Sequence, residues 1–160
     1  MKHYFFVFAS VLTISAFIIG CGSSDSDEKK EKETSTENHE SDDNVSTDPK
    51  GIGEFKNVEL THPLDEAMVA SGKSIYEVKC QSCHKLTGEK LVGPGWKGVT
   101  DRWTPEWIMN FVTNVDVMLA KDTASQRMLE ECLVRMPNQN LNPDDARSML
   151  EFMRKNDGKN

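Results

Sequence analysis

The segment Cys80-Gln81-Ser82-Cys83-His84 constrains this chain more than any other, because it sets two thiols and an imidazole almost side by side. Such a cluster serves one of three chemistries: a reactive dithiol, a structural metal, or the attachment of a large group to the chain. Each demands a different fold around it. A dithiol needs a helix N-terminus to activate it, a metal needs further ligands from elsewhere, and an attached group needs a cavity.

The surroundings disfavour the first two. A thioredoxin-type pair sits in a βαβ context at the start of a helix, which lowers a thiol pKa. Here Cys80 comes at the end of a helical pattern, and no strand alternation flanks it. A structural zinc site takes four ligands, usually as two pairs. Cys80, Cys83 and His84 supply three, Cys132 or His62 would have to be the fourth, and no second pair exists. Cys-x-x-Cys-His is the signature of c-type haem attachment. The two sulfurs add to two vinyl groups on one edge of a porphyrin, and the next residue reaches under the ring to the iron. In that reading Cys80 and Cys83 are covalent anchors and His84 is an axial ligand.

The termini of the motif's domain are set by composition. Residues 1–20 hold a short basic start, Lys2 and His3, and an apolar run from Tyr4 to Ile19, the layout of an export signal. The run is slightly short for a comfortable transmembrane helix. Ile18-Ile19-Gly20-Cys21 resembles a bacterial lipobox, which implies cleavage before Cys21 and a diacylglycerol on its sulfur. Residues 21–50 are then a lipid-bearing cysteine and an acidic linker. From Gly22 to Lys50 ten acids face four lysines, a net charge of −6 out of −7 for the chain. With Val45 as the one sizeable aliphatic residue up to Asp48, this tract cannot bury enough apolar surface to order itself, and it reads as a disordered leash. The third segment, 51–160, is nearly neutral. No dense basic stripe exists, so nucleic acid is not an expected partner.

Within 51–160 the patterning predicts about four helices and an all-α fold. The first spans roughly Leu64 to Lys79, with Asp65 and Glu66 near its positive end. The second starts at Thr104-Pro105, a cap followed by proline, and places Trp107, Ile108, Phe111 and Val112 on one face. A weaker one covers Asp122 to Leu133. The last starts at Asn142-Pro143 and repeats Ala146, Met149, Leu150 and Met153 at helical spacing. The glycine-rich loop from Lys85 to Trp103 is long for a structureless connection and is expected to wrap something. Four helices of this length make a modest core, which a bulky apolar group would complete.

From about Leu60 to Lys155 the chain resembles a class I, monohaem cytochrome c domain, here carried on what looks like a bacterial lipoprotein. Gly72 and Tyr76 match the family's glycine and aromatic where the first and last helices cross, and Phe152 matches the aromatic opposite. Gly93-Pro94-Gly95-Trp96-Lys97-Gly98 resembles the family's Gly-Pro-x-Leu-x-Gly turn. The resemblance implies that the Pro94 carbonyl accepts a hydrogen bond from Nδ1–H of the axial histidine, which orients the ring. It also implies that Trp96, where the family usually has leucine, packs on the porphyrin. Arg102, Trp103 and Trp107 are candidates for the haem propionate edge.

The distal ligand implied by the resemblance is Met136, in the loop "LVRMPNQNLNPDD" and followed by Pro137. Met118 and His62 compete with it, as does an open site. Met68, Met109, Met128, Met149 and Met153 lie in predicted helices and read as core filler. Cys132 reads as a small buried apolar residue. A His/Met pair closes both faces of the iron and raises its potential. The expected function is electron transfer by one covalent haem c, with no enzymatic chemistry. The expected partners are a quinol-linked complex or cytochrome on one side and a terminal oxidase or reductase on the other. The expected location is outside the cytoplasm, periplasmic or at the cell surface, with a membrane held through lipidated Cys21. The alternative is a haem sensor or gas-binding cytochrome whose distal site is open or displaceable.

Overall fold

The computed structural model of the protein describes residues 45–160, which fall within one unit of the chain, His39–Asn160. The expectations for the export signal, for lipidated Cys21 and for most of the acidic linker lie outside the described residues. No helix among the described residues is long and apolar enough to cross a membrane.

The domain is all-α. Among the described residues there are six helices where the sequence predicts about four: α1 (Glu66–Lys79), α2 (Val99–Arg102), α3 (Pro105–Thr113), α4 (Val115–Lys121), α5 (Thr123–Cys132) and α6 (Pro143–Asn156). Their starts follow capping chemistry. The Asp65 carboxylate accepts from the backbone N–H groups of Ala67 and Met68 at 2.9 and 3.0 Å, so α1 begins two residues later than its apolar pattern suggests. Thr104 caps α3 through Trp107 N–H, with Pro105 in the first turn. Asn142 and Asp145 form a reciprocal capping box at α6. The two helices missed are α2, a single turn inside the glycine-rich loop, and α4, whose N-cap Asn114 makes no side-chain cap bond to announce it.

The principal packing is α1 against α6. Gly72 is buried at that crossing, and Tyr76 and Phe152 meet there with ring centroids 5.5 Å apart. The helix α3 also packs on α6, and the α3–α4–α5 series closes the opposite side. On α6 the fully buried Glu151 carboxylate is paired with Arg147 and, at 2.7 Å, with Arg154. Both arginines then donate to backbone carbonyls of Glu59 and Thr61 at 3.3 and 3.1 Å. This buried charge is therefore paired and hydrogen-bonded, as burial requires.

Those carbonyls belong to a strap, residues 45–62, that precedes α1 and lies across α3 and α4. The strap has no regular structure and is held by buried polar groups of the helices. The fully buried Asn110 side chain accepts from Phe55 N–H at 3.0 Å and donates to the carbonyls of Lys50 and Phe55, both at 2.9 Å. Glu106 accepts from Val58 N–H at 3.2 Å and pairs with Lys50 at 3.5 Å. Ordered contact starts earlier than the expected boundary at Gly51. Ser46 is hydrogen-bonded through its backbone to Lys121 and Thr123, and the carbonyl of Pro49 accepts from the Thr104 hydroxyl at 2.9 Å. Those last linker residues are part of the domain because the α4–α5 corner offers them backbone partners that composition does not reveal.

Candidate functional site

The turn that ends α1 sets the site. Cys83 and His84 both return N–H bonds to the Cys80 carbonyl, at 3.0 and 2.9 Å, so the motif coils into a tight loop after the helix. The Tyr76 hydroxyl donates to the His84 carbonyl at 2.7 Å and anchors that loop to α1. The glycine-rich loop then folds back over it. The N–H groups of Val92 and Gly93 donate to the Cys83 carbonyl at 3.2 and 2.9 Å, and Trp96 N–H donates to that of Lys85 at 2.9 Å. This brings Gly93 onto the imidazole of His84, so close that a Cβ there would enter the ring. Glycine is required by contact.

His84 Nδ1 lies 2.9 Å from the Pro94 carbonyl. The nitrogen that donates to a carbonyl carries the proton, which leaves Nε2 with its lone pair. Burial lowers the imidazole pKa below its ordinary value of 6.5, against an opposing pull from the Pro94 bond, so the ring is neutral near pH 7. Trp96 is buried, with its ring centroid 5.6 Å from that of His84 and 5.0 Å from that of Tyr76. Arg102 donates to the carbonyls of Lys97 at 2.6 Å and Gly95 at 3.2 Å, and Asp157 accepts from the N–H groups of Gly98 at 2.6 Å and Thr100 at 2.9 Å. The turn that holds Pro94 is thus fixed from two sides.

Two cavities open from this loop. One, of about 430 Å³, is lined by His84, Trp96, Arg102, Phe111, Met128 and Met136 among others. The second is a smaller apolar cleft reached past Cys83, Val92 and Val134. His84, Pro94, Phe111, Met128, Cys132 and Met136 line both. Of the sequence-predicted residues, His84, Pro94 and Met136 line both cavities, Cys83 the smaller, and Trp96 and Arg102 the larger. Cys80 is buried and lines neither cavity, and its thiol pKa is pushed up to about 11, by burial first and by Cys83, with Lys79 opposing. A raised thiol pKa is the reverse of what a reactive dithiol needs.

The competitors of Met136 are placed elsewhere. Met118 is fully buried in α4, and its sulfur accepts the Ile52 N–H at 3.0 Å. His62 is exposed on the strap, with Nδ1 2.6 Å from the Asn160 carbonyl oxygen. Neither lines the cavities that His84 lines. Cys132 departs from its expected role as buried filler: it is half-buried and faces both cavities, because α5 ends there and Leu133 turns the chain at φ 60°. Met128 and Met153 are wall residues of the larger cavity rather than distant filler. Arg127 on α5 also lines it and was missed, since a single exposed arginine carries no sequence signal. Trp103, Trp107 and Phe111 stack in series along that wall, at 4.2 and 5.0 Å between centroids and 16° and 11° between planes.

The fold and site define an α-helical domain with two largely apolar cavities, both lined by one imidazole, His84. The sequence profile of the cytochrome c family matches residues 69–157, more than half of the chain, and the chain belongs to that family. A solved structure of cytochrome c from Rhodothermus marinus is 29% identical, at a TM-score of 0.64, over 66% of this chain and 90% of that one. An engineered form of that protein, Rma TDE, is 28% identical at 0.66, over 70% of this chain and all of that one. The same engineered protein bound to a carbene intermediate, 1-ethoxy-1-oxopropan-2-ylidene, gives 28% and 0.63. No curated protein matches the chain. Membership implies a covalently bound haem c, and Cys80 and Cys83 stand at the spacing its attachment uses. The residues fit that group: two free thiols at the loop, a histidine with one free nitrogen, a glycine that makes room for the ring, and an apolar cavity in front.

Proposed function

We propose that this domain is a single-electron carrier whose haem is attached through Cys80 and Cys83 and whose iron is held between His84 and Met136. The haem supplies a one-electron couple at its iron. The chain's residues hold it in place and keep water away from it. Pro94 keeps the His84 ring in one tautomer and one orientation, and Trp96 and Phe111 supply apolar wall. Met136, from a separate segment, would offer a thioether as the second ligand. The observation that carries the reading is that His84 and Met136, on separate segments, line the same two cavities. With His84 and Met136 both holding the iron, no protein-free coordination position would be left for a substrate, which favours transfer over catalysis. Arg102 faces the larger cavity while donating to the Gly93–Gly98 turn, and so serves that turn as well as any propionate it meets.

The wider setting follows the sequence. A lipid on Cys21 would hold the domain at the outer side of a cytoplasmic membrane or at the cell surface. The acidic stretch would let it visit a quinol-linked or cytochrome donor and a terminal oxidase or reductase at high local concentration. Met136→Ala tests the core of the reading. The ferrous variant should be high-spin by itself and bind carbon monoxide rapidly, while the wild type is low-spin and binds it slowly. Equal rates for both would instead make this an open-sited sensor or gas-binding cytochrome. Loss of radiolabelled palmitate incorporation in Cys21→Ala tests the anchor.

A further inference from the structure

The segment that presents Met136 is held in an unusual way. Between the end of α5 at Cys132 and the Asn142 cap of α6, residues 134–141 make no backbone–backbone hydrogen bonds to the rest of the domain. Leu141 is buried at one end, and the segment's own short contacts, Asn138 to Asn140 N–H and Gln139 to the Pro137 carbonyl, do not tie it to anything else. A loop so placed would be free to withdraw its thioether. One lysine reaches it directly, and a second reaches the last turn of α5, from which the loop leaves. Lys79, the last residue of α1 and the neighbour of Cys80, donates to the Gln139 carbonyl at 2.9 Å in a half-buried bond. Lys90, in the loop that covers His84, donates to the Glu131 carbonyl at 3.0 Å, an exposed bond at the end of α5 and the weaker strut of the two. A third contact, Arg135 to Asp116 at 2.7 Å, is well exposed on both sides and contributes little.

On the reading that Met136 is the distal ligand, we propose that Lys79 and Lys90 are its positioning residues: two cationic struts that bracket the loop before and after Met136 and set how readily the thioether leaves the iron. Their attachment points give the argument its force. Lys79 ends the helix that leads into Cys80, and Lys90 lies in the loop that folds over His84, so both tie the distal side to the segments that carry His84, not to a remote part of the core. Both donate to carbonyls that have no other partner among the described bonds, and an ammonium–carbonyl bond is stronger than a neutral one. Lys85 and Lys73, on the same face of the sequence, pair instead with Glu89 and Glu77 within their own segments.

The test is the affinity of the ferric holoprotein for imidazole, which must displace the thioether to bind. Lys79→Ala and Lys90→Ala should each tighten imidazole binding several-fold, and the pair by about tenfold, the equivalent of ~1.4 kcal/mol. Lys79→Arg should restore the wild-type value, and Lys73→Ala, which removes the same charge from the surface, should leave it unchanged. In a Met136→Ala background the two lysine substitutions should have no effect, since nothing remains to be displaced. Lys90 lies apart from the cysteines and carries the test by itself if Lys79→Ala impairs haem attachment. An effect that persists without Met136, an equal effect from Lys73→Ala, or no effect in either lysine variant overturns the proposal. If Met136→Ala alone leaves imidazole affinity unchanged, the distal assignment fails, and this proposal with it.

Discussion

Gly72 lies against the backbone of Ser148, and the Phe152 Cβ stands 2.7 Å from where a Gly72 side chain would begin. The crossing of α1 and α6 therefore has no room for one methyl group. Gly72→Ala should destabilise the holoprotein by about 1–3 kcal/mol through overpacking. Denaturant unfolding measures it. A loss below a few tenths would mean that the two helices separate without cost.

Trp96 stands between Tyr76 and His84. Trp96→Ala should cost ~3–5 kcal/mol through the cavity it leaves, and Trp96→Leu, which keeps part of the apolar volume, should cost less. Tyr76→Phe keeps the ring and removes the hydroxyl bond to the His84 carbonyl, a loss of about 1 kcal/mol. If Trp96→Ala proves no costlier than Tyr76→Phe, the indole is not wall for the haem.

Glu106 supplies an acid-sensitive joint. Burial raises its pKa, but its own N–H, the Val58 N–H and Lys50 outweigh that and hold it below the ordinary 4.5. A carboxylate depressed in the folded state adds stability that is fully present above 4.5 and lost as pH falls through the lowered value. The stability advantage of the wild type over Glu106→Gln should be constant at neutral pH and shrink below 4.5. Parallel profiles down to acid unfolding would contradict this.

Asn110 holds the strap with three bonds from a fully buried position. Asn110→Ala should free the strap, raising amide exchange at Phe55 before the helical amides, and should lower stability by about 1–3 kcal/mol. Unchanged exchange at Phe55 would place the strap's hold elsewhere.

The parts of the fold legible in the sequence are those whose signals are local. Thr104-Pro105 and Asn142-Pro143 announce α3 and α6 because capping involves neighbours, and the Cys80–His84 motif carries its chemistry within five positions. The strap was not legible, since the helical partners that hold it are 48 to 93 residues away and most of them are side chains that show no period. Cys132 was misread for a related reason. Its exposure to the cavity is decided by the left-handed turn at Leu133, a residue type that gives no warning of φ 60°. Met136 was singled out by its Pro137 neighbour and by the resemblance, whereas the Ile52 N–H bond that engages the Met118 sulfur carries no sequence signal.

The strap also decides where mechanical load enters the domain. Ser46 is joined by its backbone to both sides of Asp122, at the corner from which α5 departs. Tension arriving along the upstream chain is met there first, as shear across that joint, and would have to peel the strap from Asn110 and Glu106 before it reached α1 and the loop of Cys80 and Cys83. The domain is gripped at one corner and does its chemistry at another.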